Sequence, residues 1–149
     1  MKILHVEDTL THSIVMKRML SDHGVEVESV PDIDLLKDTA DCDAAVLDLV
    51  LPNSSGAETV LKFVRRYPFL PVVVLTACRD QRLHEECIKA GASSVLEKGI
   101  SADAVKQALD KSICQHLEQR ESRKRLEQIA KDMRCIANKN GNRNVSTGN

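Results

Sequence analysis

Ala44-Ala45-Val46-Leu47-Asp48-Leu49-Val50-Leu51-Pro52 is the stretch on which the reading of this chain turns. Its first four residues are apolar without alternation, the pattern of a strand buried on both faces of a sheet. The run meets a carboxylate at Asp48, and the turn cluster Pro52-Asn53-Ser54-Ser55-Gly56 follows. Pro71-Val72-Val73-Val74-Leu75 is a second run of the same kind and leads into Thr76. Outward from these two, Lys2-Ile3-Leu4-His5-Val6 is a short apolar run halted by Glu7-Asp8. Val25 to Val30 alternates apolar residues with acidic ones, as suits a strand open to water on one face. Ser94-Val95-Leu96 completes the set before Glu97-Lys98-Gly99.

Helical spacing occupies the gaps. Ile14, Val15, Arg18 and Met19 recur within 11–20, with Asp8 or Thr9 placed to cap and Gly24 to stop the helix. Asp32 can cap a second helix over 33–40. Val60, Leu61 and Val64 share a face of a third, and a fourth covers about 80–90 before Gly91. Five strands alternating with helices predict an α/β fold, (βα)₅ and doubly wound, with a five-stranded parallel sheet between two helical layers. After Ser101 the pattern becomes one long helix. Ala102, Val105, Leu109, Ile113 and Leu117 share a face, residues 118–125 are entirely polar, and Leu126, Ile129, Met133 and Ile136 follow at helical spacing. No Pro or Gly interrupts 101–137, and the Asn- and Gly-rich residues 138–149 are expected to be disordered. The expected organisation is a globular domain over 1–118, a helical extension over 119–137 and a tail over 138–149.

The 149 residues are 42% hydrophobic and 29% charged, as in a globular chain and unlike a disordered one. With Phe63, Tyr67 and Phe69 the only aromatics, the core must be aliphatic and nucleic-acid binding by base stacking is disfavoured. No apolar run reaches the ~20 residues of a membrane span, and Glu7-Asp8 interrupt any leader-like start. Five cysteines without a CxxC pair argue against a disulfide framework or zinc site and for the reducing cytoplasm. Residues 1–117 hold 13 Lys and Arg against 18 Asp and Glu, whereas 118–149 hold 8 against 4, so an acidic body carries a basic end. Arg123-Lys124-Arg125 is interleaved with Glu118, Glu121 and Glu127, which reads as an ion-paired helix face rather than a nucleic-acid site.

In an open parallel sheet, ligands bind beyond the carboxyl ends of the strands. Glu7, Asp8, Asp48, Thr76 and Lys98 all fall at such ends. Clustered carboxylates repel unless a cation joins them, and a hard divalent ion such as Mg²⁺ suits an all-oxygen set. Such an ion also neutralises an arriving phosphoryl group and leaves one carboxylate as nucleophile. His12 could reach the rim of this edge, and Cys78 lies just past Thr76; His5 reads as a core residue and His84 as a solvated one.

Taken in order, Val6-Glu7-Asp8, the run Val46 to Pro52 with Gly56, Val74-Leu75-Thr76-Ala77, and Gly91-Ala92 before Lys98 resemble the receiver domain of two-component response regulators, over about residues 2–117. The resemblance implies a flavodoxin-like receiver fold. It makes Asp48 the phospho-acceptor from a histidine kinase or histidine phosphotransfer protein. It assigns Mg²⁺, with Mn²⁺ able to replace it, to Glu7, Asp8, Asp48 and the backbone carbonyl of Val50. Thr76 and the backbone N–H of Ala77 would meet the phosphoryl oxygens, and Lys98 would pair with them. The implied protein is a cytoplasmic phosphorelay signalling component and not an enzyme beyond its own phosphotransfer and autodephosphorylation. Two departures stand out. Val95 replaces the aromatic often found three positions before the lysine, which argues against a ring-swinging switch. Gly99 replaces the usual proline, which makes a cis bond there costly by ~2.5–4 kcal/mol.

Residues 119–149 are too few for a winged-helix output, so no direct DNA binding is expected. The stripe from Leu126 to Ile136 suits a homodimer or a linker to another domain. The alternative function is a phosphorylation-independent interaction module acting through that helix. A haloacid-dehalogenase-like phosphatase would need a second Asp two residues after the nucleophile, where this chain has Val50. A Rossmann domain would need GxGxxG after the first strand, and none is there.

Overall fold

The computed structural model describes residues 1–36, 41–51 and 54–146. Residues Met1–Cys114 form one compact unit, and a second begins at Gln115. In the first unit the chain alternates β1 (Lys2–Val6), α1 (Leu10–Ser21), β2 (Glu26–Val30), β3 (Ala44–Asp48), α2 (Ala57–Arg66), β4 (Val72–Thr76), α3 (Gln81–Ala90) and β5 (Ser94–Glu97). The helix α4 (Ala102–Ser146) begins there and continues into the second unit. The five strands make one parallel sheet in the order β2-β1-β3-β4-β5, the flavodoxin-like (βα)₅ receiver fold that the alternation of runs predicts.

The apolar strands are central because both their faces are covered. Leu4, Val6, Ala45, Leu47, Val72 and Val74 face a cluster with Val60 and Phe63 of α2 and Cys87 of α3. Ile3, Ala44, Val46, Val73 and Leu75 face the other way, toward Met16 and Leu20 of α1 and Val105 and Leu109 of α4. Every residue of β3 and β4 is buried, whereas β2 alternates exposed and half-buried positions at the sheet edge. Phe63, fully buried among the sheet residues of the first cluster, ties α2 to the sheet, and its ring lies 5.1 Å from that of Tyr67 at the helix end.

Several local expectations shift. In α1 the buried residues are Ser13, Met16 and Leu20, while Ile14 and Val15 are more than half exposed. Ile14 and Val15 fit the helical period as well as Met16 does, and only the position of the sheet chooses the phase. Thr9 is the N-cap by position, without a side-chain cap bond. In α2 the inward face is Thr59, Val60 and Phe63, and Leu61 turns outward. The segment expected as a second helix holds a 3₁₀ turn over Ile33–Leu35, capped by the Asp32 side chain accepting from the Asp34 N–H; its residues 37–40 lie outside the described ones. Residues 52–53 of the turn cluster also lie outside them, between the paired segments Val50–Leu51 and Ser54–Ser55.

The tail expectation is corrected over 138–146, where α4 continues as helix to Ser146; residues 147–149 lie outside the described residues. Asn and Gly are weak helix formers, but extending an existing helix adds a hydrogen bond per residue with no new nucleation cost. No proline interrupts the ladder. Among the described residues no helix is long and apolar enough to cross a membrane, and no peptide bond is cis.

Gly91 terminates α3 in the left-handed region at φ +119°, and a Cβ there would lie 3.1 Å from Val64 Cγ2. Gly24 also has positive φ, but a Cβ there would meet nothing within 4 Å. Gly91→Ala is therefore expected to cost roughly 1–3 kcal/mol in urea unfolding, and more than Gly24→Ala, where conformational strain acts alone.

Candidate functional site

Parallel register places the strand ends together. Val6 pairs with Leu47, so Glu7 and Asp8 leave β1 beside Asp48, the last residue of β3. Asp48 pairs with Leu75, so Thr76 follows one residue on, and Thr76 pairs with Glu97, next to Lys98. The Lys98 N–H donates to the Thr76 carbonyl at 2.9 Å, continuing the ladder past β5.

Glu7, Asp8 and Asp48 each bring a carboxylate oxygen within 4.8 Å of the other two. Glu7 and Asp48 are buried and Asp8 is exposed. The Lys98 ammonium reaches Glu7 Oε2 at 3.3 Å and Asp48 Oδ1 at 3.5 Å. Backbone donors add to this: the Thr9 N–H donates to Glu7 Oε1 at 3.2 Å, and the Val50 N–H to Asp48 Oδ1 at 3.4 Å. His12, one turn into α1, places Nδ1 3.3 Å from Glu7 Oε1 and 3.4 Å from Lys98 Nζ. The sequence brings His12 only as far as the rim. Its position five residues after Glu7, across the strand-to-helix turn, is the signal for direct contact.

The two buried carboxylates respond differently. Burial pushes Glu7 up, but the Lys98 charge, the Thr9 N–H, and hydrogen bonds from Lys98 and His12 outweigh it and hold Glu7 below the ordinary range. Asp48 is pushed up by burial and then by the negative charge of Glu7, against a weaker pull from Lys98. Lys98 thus stabilises Glu7 and leaves Asp48 under-compensated. Three acidic groups against one ammonium, all with oxygen ligands, form a set suited to a hard divalent cation. His5, on β1, is core as expected, and burial lowers its pKa to about 4, so it is neutral near pH 7.

Thr76 is buried, and its Oγ1 accepts from the Cys78 N–H at 3.1 Å. Ala77, between them, is exposed. The Cys78 carbonyl lies 2.8 Å from His84 Nε2, and Arg79 pairs with Glu97 at 3.2 Å. His84, expected as a solvated side chain, therefore ties α3 to the loop after Thr76. The Val50 side chain is 67% exposed and its backbone pairs with Ser55.

The response regulator receiver domain model matches residues 3–110. Chemotaxis protein CheY of Listeria monocytogenes is 28% identical over 116 residues, covering 75% of this chain and 98% of that protein. Response regulator GacA of Pseudomonas aeruginosa is 31% identical over 116 residues, which are 72% of this chain and 53% of that protein. A CheY-like receiver domain protein of Methanospirillum hungatei shares the fold, with a TM-score of 0.68 at 19% identity over 79% of this chain and 97% of that one. With a family match across most of the chain and a sheet of matching topology, this chain belongs to the response regulator receiver domain family of two-component signalling.

Proposed function

We propose that this chain receives a phosphoryl group on Asp48 from a phosphohistidine of a histidine kinase or histidine phosphotransfer protein. The observation that carries this reading is the meeting of Glu7, Asp8, Asp48 and Lys98 at one sheet edge. An Asp48 carboxylate oxygen attacks phosphorus, the phosphorus–nitrogen bond breaks, and the imidazole leaves with the electron pair. Glu7, Asp8, Asp48 and the Val50 carbonyl are the groups that would hold Mg²⁺, or Mn²⁺ in its place. When bound, the ion supplies positive charge to the transferring phosphoryl oxygens.

Lys98 exchanges its contact with Asp48 for a phosphoryl oxygen, a charge-assisted bond that compensates the added negative charge. Thr76 accepts from Cys78 and keeps its own proton to donate, and the Ala77 N–H provides a second donor. Movement of the loop from Thr76 to Asp80 alters the surface set by the His84 and Arg79 contacts, which is how a partner or downstream domain reads the charge. With Val95 aliphatic, this loop rather than a swinging ring is the moving part. Five cysteines with no disulfide among them suit a reducing compartment, the cytoplasm.

The exposed stripe of Leu126, Ile129, Met133 and Ile136, each more than half open to solvent, favours a second reading. In it, self-association through α4 operates independently of phosphorylation. Light scattering with and without beryllofluoride separates the two, since that reading requires one unchanged oligomeric state.

Acetyl phosphate with Mg²⁺ is expected to add one phosphoryl mass to the wild-type chain and none to Asp48→Asn, by intact-mass spectrometry; full labelling of the variant refutes the acceptor. Mg²⁺ at ten times its dissociation constant is expected to stabilise the fold by about 1.4 kcal/mol, and Asp8→Asn to remove most of that gain in thermal melts. Because folding raises the Asp48 pKa, stability from this group is fully present below its unfolded value and is lost as pH rises through the folded one. In EDTA, Asp48→Asn is therefore expected to melt higher than wild type near pH 7, with the difference closing by about pH 3.

A further inference from the structure

A cavity of about 220 Å³ lies on the α1 and α4 face of the sheet. Val15, Met16 and Met19 of α1, Leu75 of β4, and Ile100 and Val105 provide its apolar wall. Gly99 lines it without a side chain, and a Cβ built there would meet nothing within 4 Å, so open space lies in front of it. Glu7, Asp48 and Lys98 border the same space.

His5 also lines the cavity. It is 2% exposed, and its Nδ1 has no hydrogen-bond partner among the described residues. A buried nitrogen in that condition carries its full desolvation cost. Val46 is its partner in register, and Ile3 and Leu75 share its sheet face, so its neighbours within the sheet are aliphatic, while Glu7, His12 and Lys98 stand toward the cavity's polar border. A mostly apolar recess with a few polar groups at its border, one of them unserved, is the usual form of a small-molecule pocket.

We propose that this cavity binds a small, neutral, hydroxyl-bearing apolar molecule, with its hydrocarbon body against Met16, Met19, Ile100 and Val105 and its hydroxyl on His5 Nδ1. A hydroxyl both donates and accepts, so it satisfies either imidazole tautomer. Glu7 and Asp48 repel an anion, and the apolar wall cannot solvate a charged body. At interior packing density the space holds on the order of ten heavy atoms, and methionine side chains adapt readily to the shape of an occupant. Because Asp48 and Lys98 border it, the site places a small-molecule input beside the proposed phosphoryl acceptor, and any coupling between them is reciprocal.

The test needs no phosphodonor, so its failure is independent of the phosphorylation reading. The full chain with ¹³C-methyl methionine is titrated with phenol and with toluene, which differ by hydroxyl against methyl. Phenol is expected to shift Met16 and Met19 saturably, with a dissociation constant of roughly 1 mM or below, while Met1 and Met133 stay still. His5→Leu should weaken phenol about fivefold and leave toluene within about twofold. Val15→Trp, at an exposed helix position bordering the cavity, should weaken both by about tenfold. The proposal is overturned by the absence of saturable shifts up to about 10 mM, by equal movement of Met133, or by a folded His5→Leu that binds phenol as wild type does. Should His5→Leu not fold, unchanged affinity in Val15→Trp overturns it instead.

Discussion

Lys98 is the group that lets buried carboxylates share one edge of this protein. Glu7 and Asp48 are nearly sealed from water, where like charges repel strongly and ionised groups are costly. One ammonium at 3.3 and 3.5 Å from them offsets that cost in part. The compensation is uneven: Glu7, with two further contacts, one from Thr9 and one from His12, is held below the ordinary range, while Asp48 remains shifted upward. The site is therefore short of positive charge at Asp48, the proposed phosphoryl acceptor. A divalent cation beside Asp48 would answer that shortage.

This arrangement is a consequence of sheet order. With β1 and β3 adjacent at the centre, the chain departs from them toward opposite faces, which opens a crevice beyond their carboxyl ends. Parallel register then decides which residues stand in it. Slipping β3 by one residue would turn Asp48 to the other face and bury Leu47 against the wrong helices. The same cores that make the strands central also hold the acidic groups at fixed separation.

The strands were legible because burial on both faces leaves an unbroken apolar run, and because a carboxylate, hydroxyl or ammonium ends each of the central ones. Helices were legible as segments but not in phase. Ile14 and Met16 compete for the inner face of α1, and only the location of the sheet selects Met16. The end of α4 is not legible from the intrinsic preference of Asn and Gly, because continuing a helix already formed offsets that preference. His12 shows a third kind of gap, since its contact with Glu7 crosses a turn whose shape no periodicity encodes.

The amino-acid order by itself determined the class of fold, the five strand ends and the identity of the groups standing at them, since these follow from local hydrophobic pattern and from where it breaks. Only the tertiary structure decided how far each charge is compensated, that His12 joins the site, and that His5 lines a cavity with its Nδ1 unpartnered among the described residues. Those are properties of distances between segments far apart in the chain. Electrostatic and packing energies depend on such distances, and sequence spacing does not carry them.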